Sequence, residues 1–180
     1  MRRIVLLVSV ALLVATTAAQ AGPIGLGVGA FGGLSWPILQ DDVSNGSVFG
    51  VRVPVKALSM LTFEGYYEKS SLGDAEEEIG GVTYTREGFD HTGIGVNAVF
   101  GSGGLGAGFY PYVGIGSHQL TRTGTEDIKD TAWNFGLGYG IKAGAKLSVQ
   151  IRGELNMIVT GDTSRKFGNA TAGLTYSLMP

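Results

Sequence analysis

The chain has 180 residues, a formal net charge of −2 and no cysteine. Its mild acidity argues against a nucleic-acid partner, which favours a basic patch, and without cysteine neither a disulfide nor a thiolate metal site can form. Glycine is the compositional signal: all 31 glycines follow residue 21, about 19% of the remainder, against a usual ~7%.

The N-terminus reads as an export signal. Arg2 and Arg3 precede an apolar run from Ile4 to Ala15, and Ala19-Gln20-Ala21 is a small-x-small cleavage site. Residues 1–21 are therefore expected to be removed, leaving residues 22–180 as one domain. That domain holds eleven basic and fifteen acidic residues. It contains no apolar run long enough for a spanning helix.

From Gly25 onward, apolar side chains fall on every second position. A strand turns successive side chains to opposite faces, so each such segment has an oily face and a polar face. The first strand is predicted over Gly25 to Trp36 and the second over Val48 to Ala57, after a polar stretch with Asn45-Gly46 as a turn signal. Leu58-Ser59-Met60 is a tight connection to the third strand, Leu61 to Glu68. Lys69 to Gly88 reads as a long loop, within which Val82 to Thr85 is expected to extend its neighbours. Asp90 to Phe100 is the fourth strand, and Gly101 to Gly108 a glycine-rich turn.

Phe109 to Leu120 is the fifth strand, and Thr121 to Asp130 a charged loop. Thr131 to Ala143 is the sixth strand, and Gly144-Ala145 leads into the seventh. There Leu147, Val149, Ile151, Leu155, Met157 and Val159 mark the oily side. Thr160 to Lys166 is the last loop, and Phe167 to Leu178 the eighth strand. Pro54 and Pro111 lack a ladder donor, so each is expected at a strand end or bulge.

The count is even, and long or charged connections alternate with short ones. Aromatics gather at two levels, Trp36, Phe49, Tyr67 and Trp133 toward the loops and Phe63, Phe100, Phe109 and Tyr176 toward the turns. Lipid leaves no water for the backbone, so a spanning sheet must close on itself. The expected fold is all-β, an eight-stranded antiparallel up-and-down transmembrane β-barrel, oily outside and polar inside. A soluble lipocalin-like exported binder shares the alternation but would bury the oily face.

On these grounds the chain resembles the OmpA/OmpX-like family of bacterial outer-membrane barrels. The resemblance rests on the signal, the Gly25-Leu26-Gly27-Val28-Gly29 opening, eight alternating segments and the loop pattern. It implies residence in the bacterial outer membrane. It also implies contact with membrane lipids, lipopolysaccharide and the assembly machinery, with an extracellular ligand of the loops as a further partner. Such barrels usually finish on an aromatic residue, whereas this chain runs Tyr176, Leu178, Met179-Pro180.

If the oily rows face lipid, Arg52, Lys56, Glu64, Glu68, His91, His118, Lys142, Arg152 and Glu154 face the lumen. Arg52 and Lys56 are expected to pair with Glu64 and Glu68 across a tight turn, and Lys142 with Glu154. Inward glycines leave space either for Phe31, Tyr66, Tyr110, Tyr112 and the charged chains to cross, or for a narrow channel. No catalytic residue is expected, because Ser117 and His118 point to opposite faces. Two histidines without cysteine make a poor metal set, so no metal or cofactor is expected. The sequence thus reads as a non-enzymatic protein, structural or presenting four loops outside. A narrow small-solute channel is the alternative.

Overall fold

A computed structural model describes residues 25–38, 43–101, 105–125, 127–160 and 163–179. The predicted signal peptide, residues 1–21, lies outside them. The strands are β1 (Gly25–Pro37), β2 (Gly46–Leu58), β3 (Leu61–Leu72), β4 (Ala75–Ile79), β5 (Val82–Arg86), β6 (Phe89–Phe100), β7 (Gly108–Thr121), β8 (Ile128–Lys142), β9 (Leu147–Thr160) and β10 (Thr163–Met179). Eight of them close a barrel in the order β1-β10-β9-β8-β7-β6-β3-β2, while β4 and β5 form a separate two-stranded sheet. Every neighbouring pair is antiparallel. Closure leaves no unpaired edge around the wall.

Side-chain alternation sorts the two faces without ambiguity. Val51 and Ile151 are 48% and 57% exposed on the outer wall, whereas their chain neighbours Arg52 and Arg152 are 6% and 2% exposed inside. An oily exterior around a polar interior is stable only where hydrocarbon replaces water. This inversion excludes a soluble barrel, which would hide the oily rows.

At the loop end the strands run further than predicted. β10 begins at Thr163 rather than Phe167, with Thr163 opposite Thr160 and Lys166 opposite Met157. β3 continues to Leu72 and β8 starts at Ile128. Ladder bonds persist beyond the oily band because water tolerates the charged side chains there. Gly46 is not a turn residue. It pairs with both Ser35 and Leu72, and a Cβ on it would collide with the Ser71 backbone.

Val82 to Thr85 does not extend a barrel strand. It belongs to the β4–β5 hairpin, closed by Gly80 and Gly81 at φ of 62° and 81°. A two-residue turn with both φ positive matches the twist of the strands it joins, and glycine takes that shape without strain.

The prolines obey the same accounting. Pro111 lies just past the end of the β6–β7 ladder, whose last pair is Val99 with Tyr112. Pro54 sits within β2 rather than at its end. The β1–β2 ladder skips from Leu26–Val55 to Gly29–Arg52 at that point, so no partner awaits the missing N–H.

Candidate functional site in the lumen

Inward side chains fill the barrel in layers. At the loop end Val43, Leu72, Phe89, Leu120, Ala132, Ile158 and Phe167 form a buried apolar cap. Below it lie the polar groups. Toward the turns, Val99, Tyr110 and Tyr112 form a second apolar cluster.

Arg152 and Glu64 form the central pair. Arg152 Nη1 and Nη2 each donate to a different Glu64 carboxylate oxygen at 2.6 Å. β9 and β3 are four strands apart in an eight-strand ring, so this pair spans the lumen. Arg152 Nε donates to Tyr110 Oη at 2.9 Å, and Arg152 Nη2 to Gln150 Oε1 at 2.9 Å. Asn97 Nδ2 donates to Glu64 Oε1 at 3.2 Å. Such a bidentate, charge-assisted pair fixes geometry as well as charge.

Arg52 is the second cation. Its Nε lies 3.9 Å from Glu64 Oε1, its Nη2 donates to Thr171 at 3.2 Å, and its guanidinium stacks 3.7 Å from the Phe31 ring centroid. Glu154 accepts from Tyr112 Oη at 2.9 Å, Asn156 Nδ2 at 2.9 Å and Asn169 Nδ2 at 3.4 Å. The inward glycines receive the aromatic rings. A Cβ at Gly136 would strike the Tyr112 ring, one at Gly138 the Tyr110 ring, and one at Gly50 the Phe31 ring. Glycine here makes room for a ring from the neighbouring strand.

Several expected partnerships take another form. Glu64 pairs chiefly with Arg152 across the lumen at 2.6 Å and keeps its expected partner Arg52 at 3.9 Å. Lys142 lies opposite Ser148, is exposed, and does not meet Glu154, which lies opposite Gly136. Lys56 and Lys142 instead line a cavity of about 570 Å³ at the turn end, with Lys146 beside them. Inward parity carried them to the mouth, where water solvates an ammonium. The eight aromatics lie on the outer wall, Phe63 less exposed than the others.

A chain of hydrogen bonds joins residues that sequence reading kept apart. Ser70 Oγ and His91 Nδ1 are 2.8 Å apart, His91 Nε2 and His118 Nδ1 2.7 Å, and His118 Nε2 and Tyr66 Oη 3.0 Å. Tyr66 Oη donates to Asn134 Oδ1 at 3.2 Å. With both imidazoles neutral, that last bond fixes the polarity of the chain. His118 Nε2–H donates to Tyr66, His91 Nε2–H to His118, and Ser70 to His91. Ser70 and His91 have the form of a nucleophile and its base. They are buried one rung below the apolar cap, with Leu72 opposite Phe89 above them. Spacing in the sequence gave no sign of these contacts, because they depend on barrel closure.

The described residues thus define an outer-membrane-type barrel with a filled, ion-paired lumen. The sequence model of the family described as "Outer membrane protein beta-barrel domain" matches residues 4–177, and the chain belongs to that family. Its place is the bacterial outer membrane. A search of curated protein sequences gives no match.

Among solved structures, Neisserial surface protein A is 15% identical with a TM-score of 0.55, covering 86% of this chain and 98% of its own. Ail of Yersinia pestis is 15% identical with a TM-score of 0.52, covering 88% and 99%. The N-terminal barrel domain of Pseudomonas aeruginosa OprF is 12% identical with a TM-score of 0.51, covering 86% and 97%. At such identities the likeness is one of fold.

Proposed function

We propose that this protein is a non-enzymatic barrel that presents its loop end to a macromolecular partner outside the cell. The observation that carries this reading is the β4–β5 hairpin. It leaves the barrel as a separate sheet, and all its side chains are exposed except the half-buried Ala75. One face aligns Ile79, Val82 and Tyr84 with the Glu77–Arg86 pair, whose Nη2–Oε2 distance is 3.0 Å. The other face carries Glu76, Glu78, Thr83 and Thr85. An isolated hairpin gains little stability from itself in water, and exposed apolar side chains rimmed by charge suit a protein contact. Its two free edges also suit strand addition.

The filled lumen supports the same reading against a channel, since ion-paired and aromatic side chains occupy its cross-section. In this reading residues 1–21 are a removed signal and residues 22–180 the mature barrel. Lipid, lipopolysaccharide and the assembly machinery are its partners in the membrane.

Charge indicates the partner class. The loop-end segments 38–45, 69–90, 121–130 and 160–166 hold twelve acidic and six basic residues. Ail has been solved with the heparin analogue sucrose octasulfate. The acidic loops here disfavour such a polyanion and favour a basic polypeptide.

Bacteria displaying the protein are expected to bind an immobilised basic polypeptide such as polylysine. Replacing residues 75–86 by a short glycine-serine turn should abolish that binding while the barrel still folds. Purified barrel should pass through immobilised heparin at physiological salt, and planar-bilayer recording should show no steady conductance. Undiminished binding after the replacement refutes presentation by the hairpin. Steady single-channel current in the wild type favours the channel.

A further inference from the structure

We propose that Glu68, His91 and His118 form a binding site for a divalent transition-metal ion of the zinc type, a reading independent of surface presentation. One oxygen of Glu68 and one ring nitrogen of each histidine lie within 4.8 Å of one another, and all three residues are buried. They come from three adjacent strands. Gly93 on β6 sits opposite Glu68 on β3 and opposite His118 on β7. Because residue 93 has no side chain, the His118 ring and the Glu68 side chain close in over it. A Cβ there would lie 3.0 Å from His118 Cε1 and 3.2 Å from Glu68 Cγ.

A second observation points to the same place. Among the described residues, Glu68 Oε1 is buried with no hydrogen-bond partner. A buried carboxylate oxygen without a donor is costly, and a metal ion satisfies it. Metal–ligand bonds of about 2.0–2.2 Å set tetrahedral ligand atoms roughly 3.4 Å apart. The site reaches that spacing by side-chain rotation. His91 Nε2 and His118 Nδ1, now 2.7 Å apart, separate to admit the ion, and Glu68 swings toward them.

The supporting groups are already in place. Metal-bound imidazoles usually donate their other N–H to a fixed acceptor. With the ion on His91 Nε2 the ring proton moves to Nδ1, where Ser70 Oγ at 2.8 Å turns to accept it, and Tyr66 Oη at 3.0 Å continues to accept from His118 Nε2. Phe167 packs edge-on against His91 with centroids 4.6 Å apart, which fixes the ring. Two imidazoles and one carboxylate select zinc and its neighbours over magnesium and calcium, which prefer all-oxygen shells. Asp74, Glu87 and Asp90 line a loop-end pocket of about 200 Å³ together with Arg122, and their excess negative charge favours cations at the mouth of the barrel.

The test uses folded, chelator-stripped protein in detergent micelles, titrated calorimetrically with Zn²⁺, with Co²⁺ absorption as a readout of coordination geometry. Wild type should take up one ion per barrel. Glu68→Gln, His91→Gln and His118→Gln should each weaken uptake by more than about tenfold, a loss that even supporting-group changes reach. Gly93→Ala keeps all three ligands, presses a methyl against the His118 ring and the Glu68 side chain and should weaken uptake as well. Glu76→Gln with Glu78→Gln on the exposed hairpin should leave it unchanged.

Should a ligand variant fail to fold, thermal unfolding decides. At one fixed Zn²⁺ concentration the midpoint of wild type should rise by more than that of Gly93→Ala, and an equal rise in both overturns the proposal. It is overturned equally if wild type takes up no stoichiometric ion, or if the triple ligand variant binds as well as wild type.

Discussion

Glu64→Gln is the sharpest probe of what holds the lumen shut. Glu64 is 1% exposed and stands between two guanidiniums, in a bidentate pair with Arg152 at 2.6 Å and 3.9 Å from Arg52. The amide removes the charge and keeps the shape. Two buried cations then lose their nearest counter-charge, while Glu154 is already engaged by Tyr112, Asn156 and Asn169. Breaking a buried pair from one side costs about 3–5 kcal/mol, and two stranded cations place Glu64→Gln toward the upper end.

Arg152→Met is milder, because Arg52 still faces Glu64. It should cost nearer ~3 kcal/mol. Glu64→Leu with Arg152→Met removes both members of the pair, and apolar replacement of a buried pair is often neutral or stabilising by about 1–4 kcal/mol, but Arg52 still loses its nearest counter-charge, so the double variant should recover only part of the loss. The assay is equilibrium urea unfolding in phospholipid vesicles, read by the fluorescence of Trp36 and Trp133. A Glu64→Gln variant within ~1 kcal/mol of wild type, or single losses that simply add in the double variant, refutes the reasoning.

Three other outcomes follow from the same geometry. Ile151→Arg places a charge on the oily wall and should impair vesicle insertion by about 2–4 kcal/mol at the midplane. Gln150→Arg should insert yet unfold at lower urea, because Gln150 Oε1 accepts from Arg152 and a third cation would crowd that site. Gly138→Ala drives a methyl into the Tyr110 ring and should cost about 1–3 kcal/mol by the same unfolding assay. The Arg86–Glu77 pair is solvent-exposed, so Arg86→Ala should change barrel stability by less than about 1 kcal/mol, leaving any loss of polypeptide binding attributable to the hairpin surface.

Much of the architecture was legible because a strand's side-chain period is two. Ile151 and Arg152 differ by one position, and that parity alone placed one in lipid and the other in the lumen. The turns between β2 and β3 and between β8 and β9 were short enough to read directly. The β4–β5 hairpin was missed although Gly80-Gly81 between Ile79 and Val82 carried its signal, because the acidic run beside it read as loop. Strand ends were set too short wherever the ladder continued past the oily band.

Parity determines which way a side chain points but not which residue it meets across a closed barrel. Tilt and closure set β3 against β9, so Glu64 bonds most closely to Arg152 across the lumen, with its hairpin neighbour Arg52 farther off at 3.9 Å. The same closure brought His91, His118 and Glu68 together, with Gly93 letting His118 and Glu68 approach over its backbone. The amino-acid order by itself determined the oily and polar rows, the strand count and the alternation of loops and turns, because each follows from local backbone geometry. Only the tertiary structure decided the partners inside, because those contacts join strands far apart in sequence and exist only once the sheet has closed.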